Sequence, residues 1–184
     1  MAKRPAATAI VIGRFQPFHN GHLAIVKYAA ANFKKIIIVL GSCNNARTKK
    51  NVWYAQERIH MILNSLSKQI ASRVSFIESN DYPDDKDWES TIKESVNEIH
   101  SEDSEITILG HYKDESSYYL NIFPYWHLSL LPSFFEGLNS TDIREAYFSG
   151  ITPDPAYLPS GTIDFLHSFR QHKDYATVKK LFMK

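Results

Sequence analysis

Cysteine and long apolar runs are scarce in this sequence, and each shortage excludes a class of protein. Cys43 is the single cysteine of the 184 residues, so an internal disulfide framework and most cysteine-based zinc sites are excluded. The apolar run before Gly13 has about five residues, fewer than the roughly 7–15 of a secretory signal. No run approaches the roughly 20 residues of a membrane span. We therefore expect a cytoplasmic protein without a membrane partner.

A strong net charge is also missing. The chain has 21 Lys and Arg against 20 Asp and Glu, a formal net charge of +1, and its only basic cluster, RTKKN, is short. We expect no nucleic-acid partner, because that role needs a basic surface, and any bound anion should occupy a local site. The length fits one domain, and a hydrophobic content of 43% can build its core. Whether identical chains form a homo-oligomer is left open.

Short apolar runs alternate with helical patterns along the chain. TAIVIG, KIIIVLGS, RVSFIES, EITILGH and YWHLSLL predict five strands. The predicted helices are NGHLAIVKYAAAN, residues 53–71, WESTIKESVNEIH, SSYYLNIF and STDIREAYFSG. Because the strands are continuously apolar, they indicate an α/β fold with a parallel sheet covered on both faces. We predict a core over residues 1–150 and a C-terminal helical appendage of the same domain over residues 151–184.

The stretch GRFQPFHNGH lies where the first predicted strand meets the first helix. Ligands of parallel sheets bind beyond this edge, at the carboxyl ends of the strands. Gly13 allows a tight turn there, and Asn20 is the expected N-cap of the helix. Gly21 leaves the first helical turn open to close approach. This stretch therefore predicts a ligand site.

Cationic and imidazole side chains crowd the same helix start. Arg14, His19 and His22 lie where the helix dipole favours anions, so a phosphate chain would supply the missing negative charge. Histidines three residues apart can also bind metal or serve as surface or capping residues, but no nearby Cys or carboxylate completes a metal set. The sequence has no Walker loop and no G-x-G-x-x-G, so a nucleotide would be bound by another device.

A second helix start, NSTDIREAYF, repeats the pattern. Asn139 or Ser140 is the expected N-cap, Asp142 suits the dipole, and Arg144 does not. Arg144 can alternatively be a solvated arginine, or pair with Asp142 or Glu145. Since this helix also follows a strand at the same sheet edge, the two helix starts can together bind one polyphosphate.

These two stretches resemble a known pair of signatures. GRFQPFHNGH is similar to the G-x-F-x-P-x-H-x-G-H signature of the nucleotidylyltransferase superfamily, and STDIR is similar to its later S-T/S-x-x-I-R signature. Within that superfamily the chain most resembles archaeal-type nicotinamide mononucleotide (NMN) adenylyltransferases, especially the bacterial branch often fused to a Nudix hydrolase. LGSCNNARTKKNVWYAQER, DYPDDKDW and GHYKDESSYYLNIFPYW extend the resemblance over nearly the whole chain. No Nudix box is present.

The resemblance implies a Rossmann-like, five-stranded parallel fold and a reaction of ATP with NMN that gives NAD and pyrophosphate, with Mg²⁺ carried mainly by the ATP phosphates. It implies that His19, His22 and Arg144 are catalytic and that no residue binds metal directly. The ATP site that it implies comprises Gly13, Arg14, Phe15, His19, Gly21, His22, Arg47, Gly110, His111, Ser140, Thr141 and Arg144. The sequence offers no G-x-S-x-G elbow, which agrees with direct attack by the mononucleotide phosphate on the α-phosphorus.

The acceptor site is expected after the third strand, in DYPDDKDW. A nicotinamide ring needs an aromatic face and groups that hydrogen-bond its amide. The resemblance assigns these roles to Trp88 and Asp81. Trp88 can alternatively be a core residue at the start of its helix. An acid near the pyridine substituent disfavours a carboxylate, so the amide form is expected to be preferred.

Two other functions compete with this one. The first is the same chemistry on another phosphorylated acceptor, such as nicotinic acid mononucleotide, flavin mononucleotide or phosphopantetheine. The second is a nucleotide-sensing module that binds ATP or NAD without turnover. The presence of both histidines and Arg144 argues against the second.

Overall fold

Five parallel strands form a single sheet in the computed structural model, which describes residues 7–100, 105–112 and 115–183. The strands are β1 (Thr8–Gly13), β2 (Lys35–Leu40), β3 (Val74–Glu78), β4 (Ile106–Gly110) and β5 (His127–Leu130). The helices are α1 (Asn20–Asn32), α2 (Ala55–Asn64), α3 (Lys68–Ala71), α4 (Asp85–Ile99), α5 (Ser140–Phe148), α6 (Ser160–Phe169) and α7 (Tyr175–Lys179). Two 3₁₀ helices span Glu115–Asn121 and Lys180–Phe182.

The sheet order places the first strand at the centre. The order is β3-β2-β1-β4-β5, and every neighbouring pair is parallel. The chain therefore runs outward from β1 to β3 and then crosses to β4 on the other side. The carboxyl ends of β1 and β4 form the topological switch point, where such sheets bind ligands. The predicted Rossmann-like parallel fold is confirmed.

Alternate residues of the strands pack on opposite faces of the sheet. On one face Ala9 and Val11 of β1 join an apolar cluster with α1, α2, α5 and α6. On the other face Ile10 joins α4 and the 3₁₀ helix at 115–121. Because both faces are covered, strands without polar alternation are the expected sequence. Across the described residues, no helix is long and apolar enough to cross a membrane.

Two predicted helices differ from the observed ones. The helix expected over residues 53–71 is interrupted between Asn64 and Lys68, where Ser67 caps α3 by accepting a hydrogen bond from the Ile70 N–H. The helix expected to begin at Trp88 starts three residues earlier, because the Asp84 carboxylate accepts from the Lys86 N–H and caps it.

The C-terminal helices pack on the same apolar cluster as the sheet. Leu166 and Phe169 of α6 and Val178 of α7 are buried in it. Helices α2 and α6 approach so closely that a Cβ added at Gly161 would lie 2.4 Å from the carbonyl carbon of Asn64. The C-terminal helices therefore share the core of the sheet, and the division into a core over residues 1–150 and an appendage over residues 151–184 stays a prediction.

Candidate active site

A cavity of about 580 Å³ opens beyond the carboxyl ends of β1, β2 and β4. It is lined by every predicted site residue except Arg47: Gly13, Arg14, Phe15, His19, Gly21, His22, Asp81, Trp88, Gly110, His111, Ser140, Thr141 and Arg144. The two helix starts singled out in the sequence therefore meet at one site. Its volume suits a small-molecule ligand.

The turn between β1 and α1 has an unusual backbone. Phe15 has a φ of +50°, which a non-glycine residue rarely adopts. Its side chain is buried, and its ring lies 3.0 Å from the place where a Cβ of Gly13 would be. A side chain at position 13 would crowd the Phe15 ring, so glycine suits the close packing of this turn. Strain of this kind persists where surrounding structure enforces it, often at ligand sites.

His19 and His22 form a reciprocal cap at the start of α1. The His22 N–H donates to Nδ1 of His19 at 3.4 Å, and the His19 N–H donates to Nδ1 of His22 at 3.3 Å. The two rings are stacked, with centroids 3.6 Å apart. Since each Nδ1 is an acceptor, the ring proton of each histidine lies on Nε2. Both side chains can therefore act as N–H donors at the cavity wall.

The environment of His22 favours the neutral imidazole. Its ring meets Phe15 edge-on at 4.9 Å and stacks on Phe18 at 5.8 Å. Desolvation by this burial is the main cause, and the electrostatic interaction with the neighbouring His19 imidazole adds to it, so the pKa of His22 is held well below its usual value of 6.5. His22 thus enters the site as a neutral hydrogen-bond donor.

The predicted N-cap of α1 was wrong by one residue. His19 occupies the cap, and Asn20 is the first residue of the helix. The Asn20 side chain instead donates to the carbonyl oxygens of Pro155 and Ala156 at 3.1 and 3.0 Å, while its N–H donates to the Tyr157 carbonyl at 2.8 Å. Asn20 therefore connects the start of α1, at the cavity, to the segment that follows α5.

Arg144 is buried in the wall of the cavity, with 5% of its surface exposed. It donates to the Gln16 carbonyl at 2.6 Å, the Lys49 carbonyl at 3.1 Å and the Thr141 hydroxyl at 3.3 Å. None of these three acceptors is a carboxylate. Burial first, and then repulsion by Arg14, lowers the pKa of Arg144 to about 10. Arg14 and Arg144 thus form a paired cationic wall that a bound anion would stabilise.

Asn139 is the N-cap of α5, one of the two expected candidates. Its side chain accepts from the Asp142 N–H at 2.9 Å and donates to the Asp142 carboxylate at 2.8 Å. Ser140 is the first helical residue, and its hydroxyl contacts the Pro17 carbonyl at 3.4 Å. Ser140 and Thr141 therefore lie at the cavity with their backbone N–H groups at a helix start.

Arg47 does not reach the cavity, so its position does not support the prediction of a phosphate ligand. Its guanidinium binds both oxygens of Glu57 at 2.7 and 2.8 Å, the Asp174 carboxylate at 2.8 Å and the Val52 carbonyl at 2.9 Å. These contacts use its fork-shaped array of donors on protein acceptors. A lysine of the same loop, Lys50, lines the cavity instead.

Arg58 is a functional candidate that the sequence patterns did not reveal. It is fully buried and donates to the carbonyls of Arg14 and Gly41, each at 2.7 Å, and to Sγ of Cys43 at 3.3 Å. It thereby joins the segments that leave β1 and β2. Its position four residues before Ile62, on the apolar face of α2, was the available signal.

The predicted acceptor residues lie on the β2–β3 side of the cavity. The Asp81 carboxylate accepts from the Ser42 hydroxyl at 2.8 Å and from the Asn45 amide at 2.6 Å. The Trp88 indole donates to the Ser79 hydroxyl at 2.9 Å and meets the Tyr119 ring edge-on at 6.5 Å. Trp88 also packs on the second apolar cluster, so it both belongs to the core and lines the cavity.

The β4 end of the cavity depends on a residue without a side chain. A Cβ at Gly110 would lie 2.5 Å from a methyl group of Leu120, so glycine lets the 3₁₀ helix pack against the strand end. Nδ1 of His111 lies 3.1 Å from the Leu131 carbonyl. This bond links the ends of β4 and β5 beside the cavity.

A side cavity of about 340 Å³ continues from the cationic wall. Arg14, Lys50, Thr141 and Arg144 line both spaces, and Lys49 and Phe182 line only the side cavity. Among the described residues that line it, the one carboxylate is that of Glu145, 3.8 Å from the Lys49 ammonium. The side of the site lined by Arg14 and Arg144 is therefore strongly cationic beyond the main cavity.

Comparison with known proteins agrees with this geometry. A protein from Acinetobacter baylyi named nicotinamide/nicotinic acid mononucleotide adenylyltransferase is 39% identical over 173 residues, which are 94% of this chain and 92% of that protein. A nicotinamide-nucleotide adenylyltransferase from Methanococcus aeolicus is 48% identical over 60 residues, 33% of this chain and 35% of that protein.

A solved structure extends the match to three dimensions. It is a bifunctional NMN adenylyltransferase/ADP ribose pyrophosphatase from Francisella tularensis, in complex with AMP and a manganese ion, with a TM-score of 0.81 and 30% identity. The alignment covers 95% of this chain and 52% of the bifunctional protein, so this chain spans about half of that protein. The cytidylyltransferase-like family model matches residues 10–146. With this match over most of its length, the chain belongs to the cytidylyltransferase-like family.

Proposed function

We propose that this protein transfers the adenylyl group of ATP to NMN, giving NAD and pyrophosphate. The observation that carries the proposal is the cationic wall of Arg14 and Arg144, which faces the same cavity as the two histidine donors and in which Arg144 donates only to neutral oxygens of the described residues. Such a corner binds a polyphosphate. The name of the Acinetobacter relative supports an adenylyltransferase of pyridine mononucleotides.

The chemistry needs positioning and charge neutralisation. The 5′-phosphate of the mononucleotide attacks the α-phosphorus of ATP, the bond to the β-phosphate oxygen breaks, and pyrophosphate leaves with the bonding electrons. In our proposal the Nε2–H groups of His19 and His22 donate to the phosphates as negative charge moves to the leaving group. Arg14 and Arg144 neutralise that charge. Preorganised donors of this kind account for a large share of rate enhancement in phosphoryl and related transfers.

A divalent ion fits the reaction without a protein ligand set. Within the described part of the chain, no group of three or more His, Cys, Asp or Glu side chains could hold a metal. The phosphate corner, formed by Arg14, His19, His22 and Arg144, offers cations and N–H donors but no such group of metal ligands. We therefore propose that Mg²⁺ arrives with the ATP phosphates and neutralises their charge. The manganese ion in the Francisella structure supports divalent-metal use.

The acceptor is proposed to lie between Trp88 and Asp81. In our proposal the Trp88 indole offers an aromatic face for a flat cationic ring, and the Asp81 carboxylate can accept from a carboxamide N–H. Ser42 and Asn45 already donate to both Asp81 oxygens, which fixes the carboxylate at the cavity wall. A substrate carboxylate placed there would meet like charge, so we expect the amide form to be preferred.

Nicotinic acid mononucleotide is the second candidate acceptor. The Acinetobacter relative is named for both forms, which supports the acid as an acceptor beside the amide. Phosphopantetheine transfer and nucleotide sensing without turnover have no comparable support. ATP, NMN and NAD are the proposed partners, in a cytoplasmic location, and the association of identical chains stays a prediction.

Pyrophosphate release with ATP and a panel of mononucleotides tests the proposal. The panel contains NMN, nicotinic acid mononucleotide, flavin mononucleotide and phosphopantetheine. We expect release with NMN, together with stoichiometric NAD, and a smaller kcat/KM with the acid. Binding of ATP without release for any acceptor would support the sensing role and contradict ours.

A further inference from the structure

Arg47 forms a cluster with acidic groups from two other segments of the chain. Glu57 belongs to α2, and Asp174 precedes α7, 127 residues after Arg47. The guanidinium also lies 4.3 Å from the Tyr54 ring centroid and 5.1 Å from that of Phe169. Planar bidentate pairing of this kind, with aromatic neighbours, fixes an arginine far better than a lone surface ion pair does.

The backbone at Arg47 is held as tightly as its side chain. Its φ is +62°, in the left-handed region that non-glycine residues rarely adopt. The Arg47 N–H donates to the Val52 carbonyl at 3.2 Å, and Nη1 donates to the same oxygen at 2.9 Å. These bonds close the base of a turn over residues 47–52. Thr48 and Asn51 pair inside it through two bonds of 3.1 and 3.0 Å.

The far side of this turn forms part of the phosphate corner. The Lys49 carbonyl accepts from Nε of Arg144, and the Lys50 side chain lines both the main cavity and the side cavity. A shift of the turn would therefore move Lys50 and remove one acceptor that orients Arg144. Arg47 lines neither cavity, so any effect on a ligand passes through these neighbours.

We propose that Arg47 is a positioning residue for ATP: its ion pairs with Glu57 and Asp174 hold turn 47–52 so that Lys50 and Arg144 face the phosphates. This inference rests on the proposed function. Through Asp174 it makes the C-terminal segment a part of ATP binding, although Asp174 touches neither cavity. The Arg47 cluster thus replaces the direct phosphate contact that the sequence suggested for the same residue.

Steady-state kinetics of three variants test the inference. Misplacement of groups around a substrate can reduce rates by up to about a hundredfold, and we expect Arg47→Met to raise KM for ATP about tenfold. Asp174→Asn should raise it less, by roughly threefold, because Glu57 still binds Arg47. In both, KM for NMN should stay close to wild type, whereas kcat should fall modestly, because Arg144 loses an acceptor that orients it. Arg47→Lys should restore part of the affinity.

A double variant and a matched control separate positioning from general loosening. If Asp174 acts through Arg47, the Arg47→Met/Asp174→Asn variant should be no worse than Arg47→Met alone. Arg73 is another partly buried arginine that donates to carbonyls, those of Ala30 and Phe33, away from the cavity. Arg73→Met should lower thermal stability without changing KM for ATP.

Three results would overturn the inference. They are a wild-type KM for ATP in both Arg47→Met and Asp174→Asn, equal increases in KM for both substrates, or the same increase in Arg73→Met. Calorimetric titration with ATP provides a second readout that needs no turnover. If the wild type released no pyrophosphate, the proposed function would fail, whereas weaker ATP binding by Arg47→Met would still support the positioning role.

Discussion

Replacement of His22 separates the chemistry of the site from its folding. His22→Ala removes the Nε2–H donor at the cavity and the Nδ1 acceptor of the His19 N–H. His22→Asn removes the donor but keeps an oxygen at the place of Nδ1, since both atoms are bonded to Cγ. Both variants therefore lose the donor, but only His22→Asn keeps an acceptor for the cap of α1.

The expected magnitudes follow from these two roles. A single donor to developing negative charge contributes about 2.7–4 kcal/mol, so both variants should lower kcat by about 10²–10³. Loss of the cap interaction costs about 1 kcal/mol, so His22→Ala should be less stable than His22→Asn by that amount. The neutral state of the ring makes hydrogen bonding, and not net charge, the source of the catalytic effect.

Pyrophosphate release with saturating ATP and NMN measures the first effect, and urea unfolding measures the second. Calorimetry with ATP checks that both variants retain a folded site. Near-normal kcat in His22→Asn would refute the role of Nε2–H in the reaction. Loss of activity in His22→Ala alone would show that the histidine acts only through the structure of the helix start.

Three further predictions concern stability and specificity. Folding holds the pKa of His22 below 6.5, so the unfolded chain binds more protons than the folded one at acidic pH, and the free energy of unfolding decreases on acidification. Between pH 7.5 and 5.5, urea unfolding should show the wild type losing about 1 kcal/mol more than His22→Asn; an equal loss in both would contradict this. Gly161→Ala should lower the free energy of unfolding by about 1–3 kcal/mol and the Tm by roughly 2–12 °C, because its Cβ would meet the backbone of Asn64. The control Ser160→Ala should change that free energy by less than about 0.5 kcal/mol, and an unchanged Tm for Gly161→Ala would show that α2 and α6 can move apart to accept the Cβ. Asp81→Asn should shift the kcat/KM ratio toward nicotinic acid mononucleotide by roughly tenfold, equivalent to about 1.4 kcal/mol, and an unchanged ratio in the same release assay would show that Asp81 does not read the pyridine substituent.

The sheet and its binding edge were readable because local patterns determine them. TAIVIG and KIIIVLGS are buried on both faces in the structure, so their lack of alternation was a direct signal of a parallel sheet. The helix starts at GRFQPFHNGH and NSTDIREAYF were readable because a cation at a helix N-terminus is locally unfavourable. Arg144 was identified on that ground, and its burial beside Arg14 is the structural counterpart.

The structure departs from the sequence-based expectations where side chains find partners outside their own segment. Asn20 is a residue type favoured at the N-cap, but its side chain donates to carbonyls more than 130 residues away, and His19 is the N-cap instead. Arg47 has the charge and the loop position of a phosphate ligand, but in the structure its guanidinium is paired with Asp174 and Glu57. The approach of those segments is not encoded in local periodicity, and the periodicity of α2 places Arg58 on its apolar face without showing which carbonyls it binds.

The bonds from Asn20 to residues 155–157 have a consequence for recombination between relatives. The first residue of α1 depends on three carbonyl oxygens contributed by the segment after α5. A chimera that joined the first 150 residues of this protein to the C-terminal segment of a relative would keep both GRFQPFHNGH and STDIR, but could lose the contacts that hold the start of α1. Transferring residues 155–157 together with GRFQPFHNGH would preserve these contacts.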